Sequence, residues 1–491
     1  MTRRGAGVAA GERAAPVRLA RSALTPRASA GPDADRWFAE RAAGVEFAVR
    51  DVPLDGLPGW RTDPGTGDLT HRSGRFFAVR GIDVHLPGHE VPRWDQPIIH
   101  QPEVGVLGIL VREFGGVPHL LMQAKVEPGN VNGVQLSPTV QATRSNYTGV
   151  HRGRAVPYLS HFLDVPEDRV LVDVRHSEQG AWFYRKRNRN VVVEVAEDLE
   201  VLDGFRWHTL GEVHRALARD DVVNMDARTV LACLPFAGGG AAALLGAGPG
   251  DGFRAALARS CDPAAGSTHT TGELLRWISE IRTRVDLRTA TAPLAGLADW
   301  RRTPDRISHR TGAFFDVVGV SVHAPDREVA SWSQPMVRPC GVGLVAFLAT
   351  SIGGVLHVLV HARAEAGCVD VVELAPTVQC TPDNYRHLPA RARPRHLDAV
   401  LGAPPEQVRL AVTQSEEGGR FFHARTRHVV VEVDSPDDAE TPGYRWVALH
   451  QLVDLLRHSH YVNIQARSLV ACLYGVAAGG ARGVQSDIAS R

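Results

Sequence analysis

Lysine is nearly missing from this chain of 491 residues: Lys125 and Lys186 are the only two, and every other Lys/Arg position is arginine. Schiff-base chemistry therefore has few candidates. The six cysteines form neither a C-x-x-C pair nor a Cys/His spacing suited to zinc, so a disulfide framework and a zinc knuckle are not expected. Long hydrophobic runs are absent too. The best, Val104–Val111 and Val342–Ala349, are broken by glycine and fall far short of the roughly 18 residues of a membrane span. Charge of one sign is also lacking: 55 Lys+Arg against 54 Asp+Glu leaves +1, which argues against nucleic acid or an anionic membrane as partner. No GxxxxGK[ST], GxSxG or HExxH occurs, and the glycine series from Gly246 places Asp251 where a dinucleotide fingerprint needs its third glycine. P-loop, hydrolase, zincin and dinucleotide chemistries lose their central elements.

What is present is ordinary globular composition, 44% hydrophobic and 22% charged, in a length that suits two or three domains. Residues 1–32 are rich in Ala, Arg and Gly without an apolar signal core, so an unfolded leader and a cytoplasmic location are expected. Self-comparison is the most informative operation. Arg36-Trp37, Pro53-Leu54, Gly56-Leu57 and Trp60 return 240 positions later as Arg276-Trp277, Pro293-Leu294, Gly296-Leu297 and Trp300. Trp94, Gln96-Pro97, Gly115-Gly116 and His119 return after 238 as Trp332, Gln334-Pro335, Gly353-Gly354 and His357. QLSPTVQATRSNY (135–147) and ELAPTVQCTPDNY (373–385) agree at 8 of 13 positions. The expected organisation is repeat 1 over 33–236, a Gly/Ala/Ser/Thr linker over 237–271 with room for a short helix near Phe253–Arg259, repeat 2 over 272–475 and a tail over 476–491.

Each repeat reads as mixed α and β. Helices are expected near 33–44, 209–219 and 225–234, the last capped by Asn224. A glycine hairpin joins Val104–Arg112 to Val117–Val126, and a second hairpin turns at Ser177–Gly180, with Gly180 at positive φ. The strand period of two then sorts faces: His119, Gln123, Lys125 and Glu127 share one, as do Gln135, Ser137, Thr139 and Gln141. Arg185, Arg187 and Arg189 lead into the face of Val191, Val193 and Val195. Those guanidinium groups either grip a diphosphate bidentately or pair with acids such as Glu178 and Glu194 at a sheet edge. Trp94 is either a core anchor or a stacking platform, and Glu178 is either part of a turn or a base.

Trp94 with Gln96-Pro97, the run from Lys125 to Asn130, the 135–147 segment, Ser177-Glu178-Gln179-Gly180 followed by Phe183, and the helix start Asn224–Arg228, all in tandem from about 33 to 475, resemble the NDP-hexose 2,3-dehydratases. The resemblance implies an α/β (α+β) fold built from two Nudix-like mixed-sheet domains, without the Nudix signature and thus without its metal-dependent hydrolysis. It also implies 2,3-dehydration of dTDP-4-keto-6-deoxyglucose in deoxysugar biosynthesis of antibiotic producers, no cofactor, a homodimer and two nucleotide-sugar pockets. A downstream ketoreductase is a candidate partner.

Within that frame repeat 1 is the preferred catalytic half, because Lys125, Asn130, Gln135 and His151 stand where repeat 2 has Arg363, Cys368, Glu373 and Pro389. Glu178, His151 or Tyr147 is the expected base or acid, with Lys125, Thr139 and Gln141 as donors to an enolate. Arg187 and Arg189 are expected on the diphosphate, and Trp94, Asn130, Gln135 and Asn146 in substrate binding. Arg363, Glu373, Thr377, Gln379, Asn384, Tyr385, Arg425 and Arg427 would hold a second nucleotide sugar. The alternatives are a non-catalytic nucleotide-sugar binding protein and a hydrolase of a nucleoside diphosphate-linked compound.

Overall fold

The computed structural model describes residues 14–28, 31–147, 155–247, 252–325, 327, 329–436 and 440–479. Each half is built on a mixed seven-stranded sheet. In the first half the central path runs Val170–Ser177, Arg187–Glu194, Gly105–Phe114, Val117–Val126, Phe205–Thr209. Val134–Ser137 adds to Val117–Val126, and Val140–Ala142 adds to Gly105–Phe114. Only Arg187–Glu194 and Gly105–Phe114 run parallel within this sheet. The second half repeats the arrangement from Gly343–Ile352 to Tyr444–Ala448. Gly115 and Gly116, at φ 57° and 79°, make the expected tight turn, a backbone conformation that costs glycine little. Val191, Val192 and Val193 are all buried, as expected of a strand covered on both faces.

A second pair of sheets crosses the repeat boundary. Ala48–Val52 of the first repeat pairs antiparallel with Phe315–His323 of the second. Reciprocally, Arg288–Ala292 joins Ala78–His85. The conserved-by-duplication tryptophans cross as well: Trp60 Nε1 donates to Ser333 O at 2.8 Å, and Trp300 Nε1 to Asp95 O at 2.9 Å. The two repeats are thus interlocked, each supplying an edge strand that closes the other's sheet.

Helices Met225–Ala232 and Ile464–Ala477 start at Asn224 and Asn463, whose Oδ1 atoms accept from Ala227 N and Ala466 N at 2.8 and 2.9 Å. Two fully buried arginines tie these helices across the seam. Arg467 donates to Thr229 Oγ1, Val462 O and Ser177 O at 2.6–2.7 Å, and Arg228 donates to Ser468 Oγ, Val223 O and Ser415 O at 2.7–3.2 Å.

Three expectations are corrected. Part of the presumed unfolded leader is the helix Ala15–Leu24, because Leu19, Ala20 and Ala23 bury a stripe against the core and Ser22 Oγ donates to Pro118 O at 2.6 Å. Much of the presumed linker is likewise helical: Gly252–Ser260 is the short helix expected near Phe253–Arg259, and Gly239–Gly246 is a helix that was not expected; Ser260 Oγ donates to Leu356 O at 2.6 Å, mirroring Ser22. Finally, the strands Val170–Ser177 and Arg187–Glu194 are joined by a long loop, 178–186, and not by a tight turn. Gly180 is absent from the positive-φ residues, whereas Arg185 has φ 52°; the glycine is needed because a Cβ there would lie 2.7 Å from Cys368 Sγ.

Candidate active site

The loops 178–186 and 417–423 each accept a turn from the other repeat. Gly129 N donates to Gly418 O at 2.7 Å, and His423 N returns a bond to Gly129 O at 2.8 Å. The mirror contact joins Gly367 N to Gly180 O and Arg185 N to Gly367 O, both at 2.8 Å. A Cβ on Gly129 would fall 1.7 Å from Phe421 O, and one on Gly367 would fall 1.8 Å from Phe183 O. Only glycine permits such backbone approach. The result is that side chains of both repeats meet at each site.

At the first-repeat site, Lys125 Nζ donates to Gln141 O at 3.0 Å, and Gln141 Nε2 donates to Glu127 Oε1 at 2.6 Å. Asn224 Nδ2 donates to Gln141 Oε1 at 3.1 Å and to Ser137 Oγ at 2.8 Å. Alongside, Lys186 Nζ donates to Asn188 Oδ1 at 2.9 Å, and Asn188 Nδ2 donates to Glu178 Oε1 at 2.7 Å. Asp226, second residue of the Met225–Ala232 helix, completes the first repeat's share. The second repeat contributes Glu417 and Arg420. Arg420 Nε donates to Gln101 Oε1 at 3.1 Å, and its guanidinium stacks 4.2 Å over the Phe77 ring.

Three carboxyl oxygens in this cluster, Glu178 Oε2, Asp226 Oδ1 and Glu417 Oε2, are buried without a hydrogen-bond partner. Such atoms are costly to leave unsatisfied. Burial pushes the Glu178 carboxyl up, while Arg467 and Lys186 restrain it. Asp226 is driven well above its ordinary range by burial and then by the charges of Glu178, Glu417 and Glu127. Burial, with Glu127 and Glu178 adding to it against Arg420, raises Glu417 to about 8. Burial pulls Lys186 down to about 8 although Glu178 favours its charged form. A carboxyl raised to about 8, as Glu417 is, beside an amine brought to about 8, as Lys186 is, can exchange protons near physiological pH, which general acid–base chemistry requires.

Of the residues expected from sequence, the structure gathers Glu178, Lys125 and Gln141 here. Asn130 is buried nearby: its Nδ2 donates to Gly133 O at 3.2 Å, its Oδ1 has no partner, and it lines a cavity of about 370 Å³ with Phe47, Pro128, Asn132 and His423. None of the clustered carboxyls lines that cavity. The side chains of Asn146 and Tyr147, and the whole of His151, lie outside the described residues.

Other expected residues are occupied elsewhere. Thr139 is not free to donate to an enolate, because its hydroxyl proton goes to Leu121 O while it accepts from Leu110 N at 3.0 Å; Thr377 repeats this with Leu359 O and Leu348 N. Arg189, expected on the diphosphate, forms a two-point pair with Asp173 at 2.6 and 2.8 Å and donates to Phe162 O at 2.8 Å. Strand alternation puts both Arg187 and Arg189 on the opposite face from Asn188, which holds Glu178. Arg187 keeps a buried Nε without a partner on that other face. Gln135 braces the seam through Ser415 Oγ at 2.7 Å, and Glu373 does so through Ser177 Oγ. Trp94 positions a loop: it donates to Gln96 Oε1 at 3.0 Å, and Gln96 Nε2 holds Ala181 O at 2.7 Å.

At the second-repeat site Arg363, Gln379 and Tyr385 do converge. Gln379 Nε2 and Arg363 Nε both donate to Glu365 Oε1, at 2.7 and 3.1 Å, while burial raises the Tyr385 hydroxyl beside the Arg363 charge. Asn384 instead accepts from Phe314 N at 3.1 Å, and Arg425 pairs with Asp221 at 2.6 Å. Arg427 lies two residues along that strand, opposite Thr413.

Lys186, Asn188, Asp226, Glu417 and Arg420 were not singled out from sequence as site residues. A signal existed: the matching positions carry Ala424, Thr426, Gln465, Gln179 and Trp182, so each copy carries charge at some of these places where the other does not.

Residues 32–234 and 271–473 each match a family model described as NDP-hexose 2,3-dehydratase. Three proteins named dTDP-4-dehydro-6-deoxy-alpha-D-glucopyranose 2,3-dehydratase are similar along their length. One from Saccharopolyspora spinosa is 50% identical, covering 90% of each chain. One from Streptomyces violaceoruber is 48% identical over 89% of this chain and 95% of its own. One from Amycolatopsis orientalis is 45% identical over 91% and 90%.

Proposed function

Because the chain belongs to the NDP-hexose 2,3-dehydratase family, we propose that it removes water across carbons 2 and 3 of dTDP-4-keto-6-deoxyglucose at the first-repeat cluster. The ketone at carbon 4 acidifies the proton on carbon 3. Glu178 takes that proton, and the electron pair left behind moves into an enolate whose oxygen faces the donors around Lys125. The enolate re-forms the carbonyl as the bond from carbon 2 to its hydroxyl breaks, leaving a 2,3-enol. Protonation at carbon 2 and loss of the enol proton then give the 3,4-diketo-2,6-dideoxy sugar. Lys186 and Arg420 supply positive charge for the diphosphate. The step is redox-neutral.

The observation carrying this reading is the buried, partnerless Glu178 Oε2 beside Lys186. The mixed sheet with one parallel pair, flanked by helices, supports a Nudix-like assignment for each half. The same reading extends to a cytoplasmic homodimer whose reactive diketone passes to a ketoreductase. Among the described residues no helix is long and apolar enough to cross a membrane.

The test is incubation of the purified protein with dTDP-4-keto-6-deoxyglucose followed by mass spectrometry. Loss of one water from the sugar is expected. Recovery of intact substrate from protein that binds it would instead favour a non-catalytic binder.

A further inference from the structure

We propose that Glu417, supplied by the second repeat, is the proton donor that releases the carbon-2 hydroxyl as water at the first-repeat site. The proposal rests on the dehydratase reading above.

The pseudo-symmetry of the chain carries the argument. Gln179 is the counterpart of Glu417, and Glu416 the counterpart of Glu178. In one arm of the molecule Gln179 Nε2 donates to Glu416 Oε2 across the seam. In the other arm the matching pair is Glu417 and Glu178, two carboxyl groups where an amide met a carboxylate. An amide donates with its own hydrogens, whereas a carboxyl can donate only while protonated. Two facing carboxyls in a buried site share one proton between them. Both have an oxygen without a partner, which leaves room in the hydrogen-bonding scheme for the substrate's hydroxyl.

The loop holds Glu417 in place. Phe421 N donates back to Glu417 O at 2.9 Å, while Trp332 Nε1 donates to Gln334 Oε1 at 3.1 Å and Gln334 Nε2 grips Gly419 O at 2.6 Å. Gly419 leaves space for the acidic side chains: its missing Cβ would stand 2.5 Å from Glu417 Oε1 and 3.8 Å from Glu127 Oε1. Burial and the neighbouring charges of Glu127 and Glu178 keep the Glu417 proton bound near neutrality.

The atoms balance with Glu178 as carboxylate and Glu417 as carboxylic acid. Glu178 gains the carbon-3 proton; the carbon-2 to oxygen bond breaks; Glu417 gives its proton to the departing hydroxide, forming water and a carboxylate. Proton transfer through solvent then resets both groups. Repeat 2 cannot perform this, because Gln179, Gln465 and Ala424 stand where Glu417, Asp226 and Lys186 would be needed.

Glu417→Gln tests the assignment in a side chain the fold already accommodates at the matching place. Full-length protein is assayed for water loss from dTDP-4-keto-6-deoxyglucose, for exchange of the carbon-3 hydrogen with solvent deuterium, and for fluoride release from the 2-deoxy-2-fluoro analogue. Fluoride leaves without a proton, so an acid is dispensable there. Expected are a fall of about 10²-fold or more in water loss, with carbon-3 exchange and fluoride release within about threefold of the parent. Retained water loss, or a parallel fall in fluoride release, overturns the proposal, and dTDP binding checks that the variant is folded. If the parent protein itself loses no water, the dehydratase reading fails instead.

Discussion

Replacing Arg467 by Met tests whether Glu178 is the base. Arg467 is almost fully buried and spends its guanidinium on Thr229, Val462 and Ser177. Met keeps much of the volume but leaves Val462 O and Ser177 O without these donors. Breaking a buried charged network of this kind costs roughly 3–5 kcal/mol, and a melting temperature lower by about 3–5 °C is expected for a chain of this size. The catalytic consequence is separable. Arg467 is the largest charge opposing the upward push of burial on Glu178. Without it Glu178 binds its proton more tightly, so a smaller fraction is ionised at a given pH. The acidic limb of the kcat/KM profile should therefore move to higher pH. Arg228→Met is the control, since Arg228 plays the same part for Glu416; it should lose similar stability without moving the limb. The reasoning is refuted if Arg467→Met leaves the limb in place, or if both variants shift it equally.

On the alkaline side, Glu417 must carry its proton. Activity is expected to fall as pH rises through about 8, the point to which burial raises this carboxyl amid Glu127, Glu178, Asp226, Lys186 and Arg420. A fluoride-release profile lacking this limb assigns it to the donor; persistence of the limb would point to Lys186, which burial also brings to about 8. Gly129→Ala forces a Cβ to within 1.7 Å of Phe421 O, so the inserted turn must withdraw and two buried backbone hydrogen bonds weaken. A loss of roughly 2–5 kcal/mol is expected by denaturant titration. Arg189→Ala removes a half-exposed pair with Asp173 and a hydrogen bond to Phe162 O; it should cost about 1–2 kcal/mol and leave KM for the nucleotide sugar unchanged. A tenfold rise in KM would restore Arg189 to the substrate site.

Much of this architecture was readable from the repeat itself. The glycine hairpin and the Asn224 cap followed from local rules that packing respects. The leader was misjudged because its helix is rich in alanine and short of large apolar groups. Yet Leu19-Ala20-Arg21-Ser22 reappears as Leu257-Ala258-Arg259-Ser260, a duplicated tetrapeptide that places both helices inside the repeat. Strand exchange left no such trace. Ala48–Val52 and Arg288–Ala292 are equivalent strands, and either sheet offers an equivalent edge, so the hydrophobic pattern is satisfied whichever way they pair. The arginine ladder was ambiguous for another reason: the partner of Arg189 is Asp173, sixteen residues away and brought diagonally across from it only by strand register. Glu417 and Arg420 could not be tied to Glu178 along the chain, because the two loops meet through a pseudo-twofold contact between turns of different repeats.

The most direct test compares Glu178→Gln with Glu416→Gln, following release of deuterium from substrate labelled at carbon 3. Glu178→Gln should abolish label release and water loss together, by about 10²-fold or more, whereas Glu416→Gln should sustain both. The reverse pattern, with label release surviving in Glu178→Gln and lost in Glu416→Gln, would place the chemistry in the other repeat.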